Sequence, residues 1–220
     1  GSADMWLVKT NSSGKQQWNR TYGGVHADEA RCIQLTSDGG YIVAGFTKSF
    51  GSGDADFWLV KTDTSGFVQW SRTFGGVYED LAMCVQRTVD GGYVVAGYTS
   101  SYGAGNSDFW LVKTDAYGYA QWNKTYGGAG SDRAFSVCHS NDVGYVLAGE
   151  TNPYGAGNSD FWLVKTDSVG TMVWNKTFGG ANADVARSVQ QTSDGGYIIA
   201  GWTDSSGVDA HDWWLVKTDS

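Results

Sequence analysis

The sequence predicts an all-β fold, a β-propeller of four blades with four antiparallel strands each, and three observations carry that expectation. The tract Asp-x-Trp-Leu-Val-Lys-Thr occurs five times, with its Trp at Trp6, Trp58, Trp110, Trp162 and Trp214, always 52 residues apart. An uninterrupted period of that length is one supersecondary unit copied and stacked. Two runs in each unit are apolar at nearly every position, so both of their faces must be covered. Finally, 32 Gly and 32 aromatic residues (11 Trp, 12 Tyr, 9 Phe) against a single Pro suit short strands joined by tight turns. No segment has the 3.6-residue period of an amphipathic helix.

One unit reads as four strands. Leu81–Thr88 is a first strand, and the Asp90-Gly91-Gly92 hairpin leads into a second, Tyr93–Thr99. A glycine-rich loop, Ser100 to Ser107, precedes the third strand, Phe109–Thr114. The short turn Asp115–Gly118 opens the fourth, Ala120–Tyr126. The second and third strands are the apolar ones. Sheets packed face to face around an axis hide both their faces, and the pair Ala96-Gly97 suits a crowded position close to that axis. The units run 28–79, 80–131 and 132–183, flanked by partial units 4–27 and 184–220, all in one domain. Residues 1–3 read as a cloning remnant.

Counting inner strands gives four blades. The chain opens with a third and fourth strand and finishes with a first, second and third. The N-terminal strands are therefore expected to complete the C-terminal sheet and close the ring, which removes exposed edges. One copy of the third strand is then surplus, as an overhang, as part of a longer array or as a connection between two chains. A monomer is expected, with a strand-exchanged dimer as the alternative.

The repeat Tyr-Val-Val-Ala-Gly, loop, Phe-Trp-Leu-Val-Lys-Thr-Asp-x-x-Gly-x-x-x-Trp resembles blades of kelch-like propellers. It also resembles the tryptophan-docking blades of quinoprotein-type propellers, through Asp63, Gly66 and Trp70, Asp115, Gly118 and Trp122, and Asp167, Gly170 and Trp174. Uncharacterised archaeal and bacterial cell-surface repeat proteins look similar. The resemblance implies structural roles for Trp58, Trp70, Trp110, Trp122, Trp162 and Trp174, and an extracellular or cell-surface location.

The formal charge of −8 argues against nucleic acid or anionic membrane as partner. No apolar run reaches the ~18–20 residues that cross a bilayer, so no membrane insertion is expected. Cys32, Cys84 and Cys138 lack metal-ligand spacing and read as small buried hydrophobes. Four sequons, at Asn11, Asn19, Asn123 and Asn175, are possible glycosylation sites.

The expected function is non-enzymatic recognition of carbohydrate or protein. Strand alternation puts the tight hairpins at one end and the long loops at the other, and binding usually sits on such loops. Candidate ligand contacts there are Phe46, Tyr98, Tyr102, Tyr154, Trp202, Asn106, Asn158 and Asp54, since aromatic faces beside amide and carboxylate groups suit a sugar. Asp28 and its equivalents read first as loop-organising residues. No cofactor is expected. Ca²⁺ is a lesser option at Asp54 and Asp56 or at Asp209 and Asp212, and His26 with His211 a lesser catalytic option. The alternatives are a structural spacer in a larger surface protein and a glycan-acting enzyme.

Overall fold

The computed structural model describes residues 2–207 and 211–219, and 17 strands make up five antiparallel sheets. Three sheets are complete: β3 (Asp28–Leu35) to β6 (Val68–Phe74), β7 (Asp80–Arg87) to β10 (Ala120–Tyr126), and β11 (Asp132–His139) to β14 (Met172–Phe178). Within them, β4 is Tyr41–Thr47, β5 Asp56–Thr62, β8 Tyr93–Thr99, β9 Asp108–Thr114, β12 Tyr145–Thr151 and β13 Asp160–Thr166. The chain starts with a two-stranded sheet, β1 (Met5–Thr10) and β2 (Gln16–Tyr22). It ends with a three-stranded one, β15 (Asp184–Gln191), β16 (Tyr197–Thr203) and β17 (Asp212–Lys217).

Successive sheets stack face to face in chain order, and in the complete joints the first strand of the later sheet packs against the first two strands of the sheet before it. The stack is an arc. Among the described residues the expected closure is not formed: β1 pairs only with β2, and β17 only with β16. The physical reason lies in β1, which already occupies the place beside β2 that β17 would need.

The three joints from the second sheet to the fifth repeat the same contacts. Phe57 packs against Trp110 with ring centroids 4.5 Å apart, Phe109 against Trp162 at 4.7 Å and Phe161 against Trp214 at 4.6 Å. Towards the outside, Trp70 meets Tyr93 edge-on at 5.9 Å and Trp174 meets Tyr197 at 6.0 Å. These joints are why β5, β9 and β13 are buried along their full length. Trp58, Trp110 and Trp162 lie in the core, whereas Trp70, Trp122 and Trp174 are only half-buried.

Buried lysines brace the hairpin end. Lys113 donates to Asp90 at 2.7 Å, to the Thr114 carbonyl at 2.8 Å and to Gln121 Oε1 at 3.0 Å, and Lys61 and Lys165 hold Asp38 and Asp142 likewise. A desolvated ammonium is tolerable because these acceptors surround it.

Two glycine positions explain local chain choices. Gly45, Gly97, Gly149 and Gly201 face a bulge in the adjacent first strand, where a Cβ on Gly45 would stand 1.8 Å from the Glu29 carbonyl oxygen. The crowding behind the Ala-Gly pair thus includes the neighbouring strand's backbone, in addition to any adjacent sheet. In the hairpins, Gly39, Gly91 and Gly195 take φ near +80°, but the third unit puts Val143 there at φ 70°. A β-branched residue in the left-handed region is strained.

Val143→Gly should therefore stabilise the protein by about 1–3 kcal/mol, read as a rise in thermal or denaturant midpoint; an unchanged midpoint would refute the strain. Trp162→Ala should cost about 3–5 kcal/mol as a core truncation. Trp122→Ala, at a half-buried site, should cost clearly less, and the order is checked by urea unfolding of both variants.

Candidate functional site

The long-loop end is built by two rows of aspartates. Asp28 Oδ2 accepts the Gly24 N–H and the Ser49 hydroxyl at 2.8 and 2.7 Å, and its other oxygen accepts the Thr47 hydroxyl. Asp80 and Asp184 repeat the set. Asp56 accepts the Ser52 N–H at 2.7 Å, while Asp108 takes those of Ala104 and Gly105. Burial pushes the carboxyls of Asp56, Asp108, Asp132 and Asp160 above the usual carboxylate range. These carboxylates thus hold loop N–H groups and hydroxyls, while Asp132 Oδ1 is buried with no hydrogen-bond partner.

The loop aromatics are also tied down at their polar ends. Tyr102 donates its hydroxyl to the Gly75 carbonyl at 2.8 Å and Tyr154 to that of Gly127 at 3.1 Å. Their rings lean on Trp110 and Trp162, each at 5.4 Å, with much of each ring left in solvent. The Asn106 N–H donates to Gly130, and Asn158 gives its carbonyl to the Asn152 amide. Asp54 is exposed.

A second group lies inward of these loops, on the first two strands of each sheet. Phe46, Tyr98, Glu150 and Trp202 share one repeat position and pair across the ladder with Glu29, Leu81, Arg133 and Val185. Just beyond, every first strand carries a bulge, and the unpaired residue there is Arg31, Met83, Phe135 or Arg187. A bulge re-aims its side chain. Arg31 stands 5.7 Å over Phe46, Arg133 5.3 Å over Tyr98 and Arg187 4.2 Å over Phe135. Arg133 also reaches Glu150 at 3.7 Å. Burial pushes the Glu150 carboxyl upward, opposed by Arg133 and then Arg187.

The cluster continues onto the last sheet. His211 pairs with Asp204 at 3.1 Å, and its ring lies 4.1 Å from Trp202. Arg187, Trp202, His211 and Trp213, with Ser188 and Ala200, line a cavity of about 480 Å³ that belongs to the uncovered face of the last sheet. Phe46, Tyr98 and Trp202 thus belong to this inner group. Tyr102, Tyr154, Asn106, Asn158 and Asp54 lie on the outer loops. Sequence reasoning did not single out Arg31, Arg133 and Arg187. The available signal was the variation at the Arg31/Met83/Phe135/Arg187 repeat position; the bulge that turns it to one side is not written in the pattern.

His26 sits on the loop that joins the first sheet to the second, its backbone N–H donating to Ser49, whereas His211 precedes β17 of the last sheet. Among the described residues no group of three or more His, Cys, Asp and Glu has metal-binding geometry, and Asp209 lies outside them. Asn19, Asn123 and Asn175 are exposed on fourth strands and accept indole N–H bonds from Trp6, Trp110 and Trp162. Asn11 instead organises its turn by accepting the Ser13 and Lys15 N–H groups.

No family model and no curated protein matches the sequence. Solved structures do. A protein of unknown function from Bacteroides caccae aligns at TM-score 0.59 and 14% identity, over 96% of this chain and 70% of that one. The WD40 β-propeller domain of Doa1 aligns at TM-score 0.52 and 17% identity, over 84% of this chain and 51% of that one. The chain spans about half the length of that WD40 structure. With the stacked four-stranded sheets, these likenesses make the fold a repeat architecture of the β-propeller kind.

The carboxyl shifts set an acid profile. Groups raised in the folded protein (Asp56, Asp108, Asp132, Asp160, Glu150) contribute stability that is complete below their unfolded values and lost as pH rises through the folded ones. Asp142, held down to about 2 by Lys165 and then Ser140, loses its contribution as pH falls from ~4 towards that value. Thermal stability should therefore rise from pH 7 into mild acid and fall again below about pH 4, and a midpoint falling steadily from pH 7 to pH 4 would contradict the shifts.

Proposed function

We propose that this chain is a non-enzymatic recognition module of an extracellular or cell-surface protein, and that its inner long-loop side holds an acidic carbohydrate. The carrying observation is that Arg31, Arg133 and Arg187 each cover an aromatic ring on the same side of a chain whose net charge is −8. Guanidinium groups supply paired donors to a carboxylate, while Tyr98 and Trp202 offer ring faces to the apolar side of a sugar. Glu150, between Arg133 and Arg187, is placed to meet hydroxyls or to release Arg133 on protonation, and Glu29, paired with Arg31 at 2.8 Å, is a second acceptor in the cluster. The loops around the cluster are held by their own aspartates, so the surface is preorganised and loses little freedom on binding. The resemblance to kelch-like and quinoprotein-type blades concerns the blade and leaves the ligand open.

A protein ligand is the second reading, favoured by the exposed rings of Tyr78, Tyr102 and Tyr154 at the rim. A glycan array that includes uronic-acid oligosaccharides, run beside acidic and neutral peptides, separates the two. Acidic glycans should bind, more weakly at high salt, and Arg133→Ala should lower affinity about tenfold. Glu150→Gln should tighten binding of an acidic ligand at neutral pH, as acidification should for the unaltered chain. Absence of binding across the whole panel would end the carbohydrate reading.

A further inference from the structure

The two ends of the arc are complementary halves of the joint that the chain makes three times internally. At the N-terminal end, β3 lacks cover. Ala30 is exposed whereas Ala82, Ala134 and Ala186 are buried, and Ile33 is 45% exposed where Val85, Val137 and Val189 are at most 3%. A cavity of about 180 Å³ lies between β1 and β3, lined by Met5, Leu7, Cys32 and Val43 among others. Elsewhere, the first and second strands of the preceding sheet fill this place, as β3 and β4 do against β7.

At the C-terminal end those strands are present and uncovered. Ile198 and Ala200 are partly exposed, whereas their equivalents in the three complete sheets are buried. Trp213 is 95% exposed and Leu215 66%, at positions where Phe57 and Leu59 are fully buried. Beside β17 and β14, a cavity of about 520 Å³ lined by Trp174, Lys176, Phe178 and Lys217 marks the place of a fourth strand. In the complete joints that place holds a turn glycine covered by the previous sheet, Gly66 under Trp18 and Arg20, Gly118 under Trp70 and Arg72. Among the described residues, Gly14 opens the one fourth strand whose turn glycine has nothing within 4 Å of an added Cβ.

What blocks the match is a duplicate. Trp6-Leu7-Val8-Lys9 of β1 and Trp214-Leu215-Val216-Lys217 of β17 are identical, one paired only with a fourth strand and the other only with a second. Either can therefore occupy the place beside β2 in the same register. β17 brings β15 and β16 with it, which cover Ala30 and Ile33, whereas β1 pairs with β2 alone among the described residues.

We propose that two copies of this chain join reciprocally, β17 of each displacing β1 of the other and pairing with β2. Each junction then completes a four-stranded sheet β15-β16-β17-β2, Trp213 takes the place of Met5 against Trp58, and Gly14 passes beneath Trp174. Each copy supplies four complete sheets and the pair closes at eight, within the four to eight blades that propellers use. The partner is a second copy because, among the described residues, β1 and β2 form no packed joint and no strand pairing with β15, β16 or β17 of the same chain. A pairing of end to opposite end that closes leaves no edge for filament growth.

The test is a Val216→Cys, Asn19→Cys double variant of the full chain, oxidised and run without reductant beside each single variant. The internal equivalent of this pair, Val164 and Asn175, is in register across β13 and β14, close enough for a disulfide. A cross-linked pair of copies, and light scattering of the unaltered chain at twice 23.7 kDa, are the expected results. A cross-link within one chain would overturn the proposal in favour of self-closure, a ladder in favour of open head-to-tail growth, and monomer mass without cross-link outright. Removal of residues 1–10 gives an independent reading: the pair should persist with unchanged strand content, and its loss would show that β1 belongs in the junction.

Discussion

The structure depends on one recurring contact, the third-strand aromatic of each sheet pressed against the third-strand tryptophan of the next. A four-stranded sheet whose central strands are apolar on both faces cannot stand in water by itself. Phe57 on Trp110, Phe109 on Trp162 and Phe161 on Trp214 hide those faces in series. Each contact covers only its two neighbours, so the stack is a chain of equal joints and its energetics are local. The same fact makes the ends conspicuous: Trp6 and Trp213 are the largest exposed apolar groups because each is one half of that contact.

Polar groups at the two ends of the sheets serve different purposes. At the hairpin end, buried Lys61, Lys113 and Lys165 each satisfy their donors on an aspartate and a backbone carbonyl, which couples the hairpin to the third strand. At the loop end, buried aspartates accept backbone N–H groups and shape loops that differ in sequence from unit to unit. A rigid frame carrying variable residues results. The variable residues gather on the inner side, where Arg31, Tyr98, Arg133, Glu150, Arg187 and Trp202 form one continuous polar and aromatic strip.

Much of the fold was legible because its cause is periodic. The second strands read from sequence as Tyr93–Thr99 coincide with β8, since an unbroken apolar run bounded by Gly-Gly and a glycine-rich loop leaves little freedom in its limits. The bulge in every first strand was not legible, because an extra unpaired residue leaves the hydrophobic pattern nearly unchanged while turning Arg31 and Arg187 to a common side. The site was accordingly only half visible. Phe46, Tyr98 and Trp202 stood out by their variation, whereas the arginines over Phe46 and Tyr98 come from another strand. Tyr102 and Tyr154 looked free to bind, but the glycine carbonyls that receive their hydroxyls lie 27 residues away in sequence.

By itself the sequence determined the unit, its four strands, its turns and the burial of its central strands, because each follows from composition and spacing inside 52 residues. Tertiary structure alone decided which residues meet across neighbouring strands and sheets, and that the chain curves into an arc with two uncovered ends. The reason is that the sequence offers the same third strand twice, at β1 and β17, and identical residues carry no information about which copy takes the shared place. Only the packing of the strands around them does.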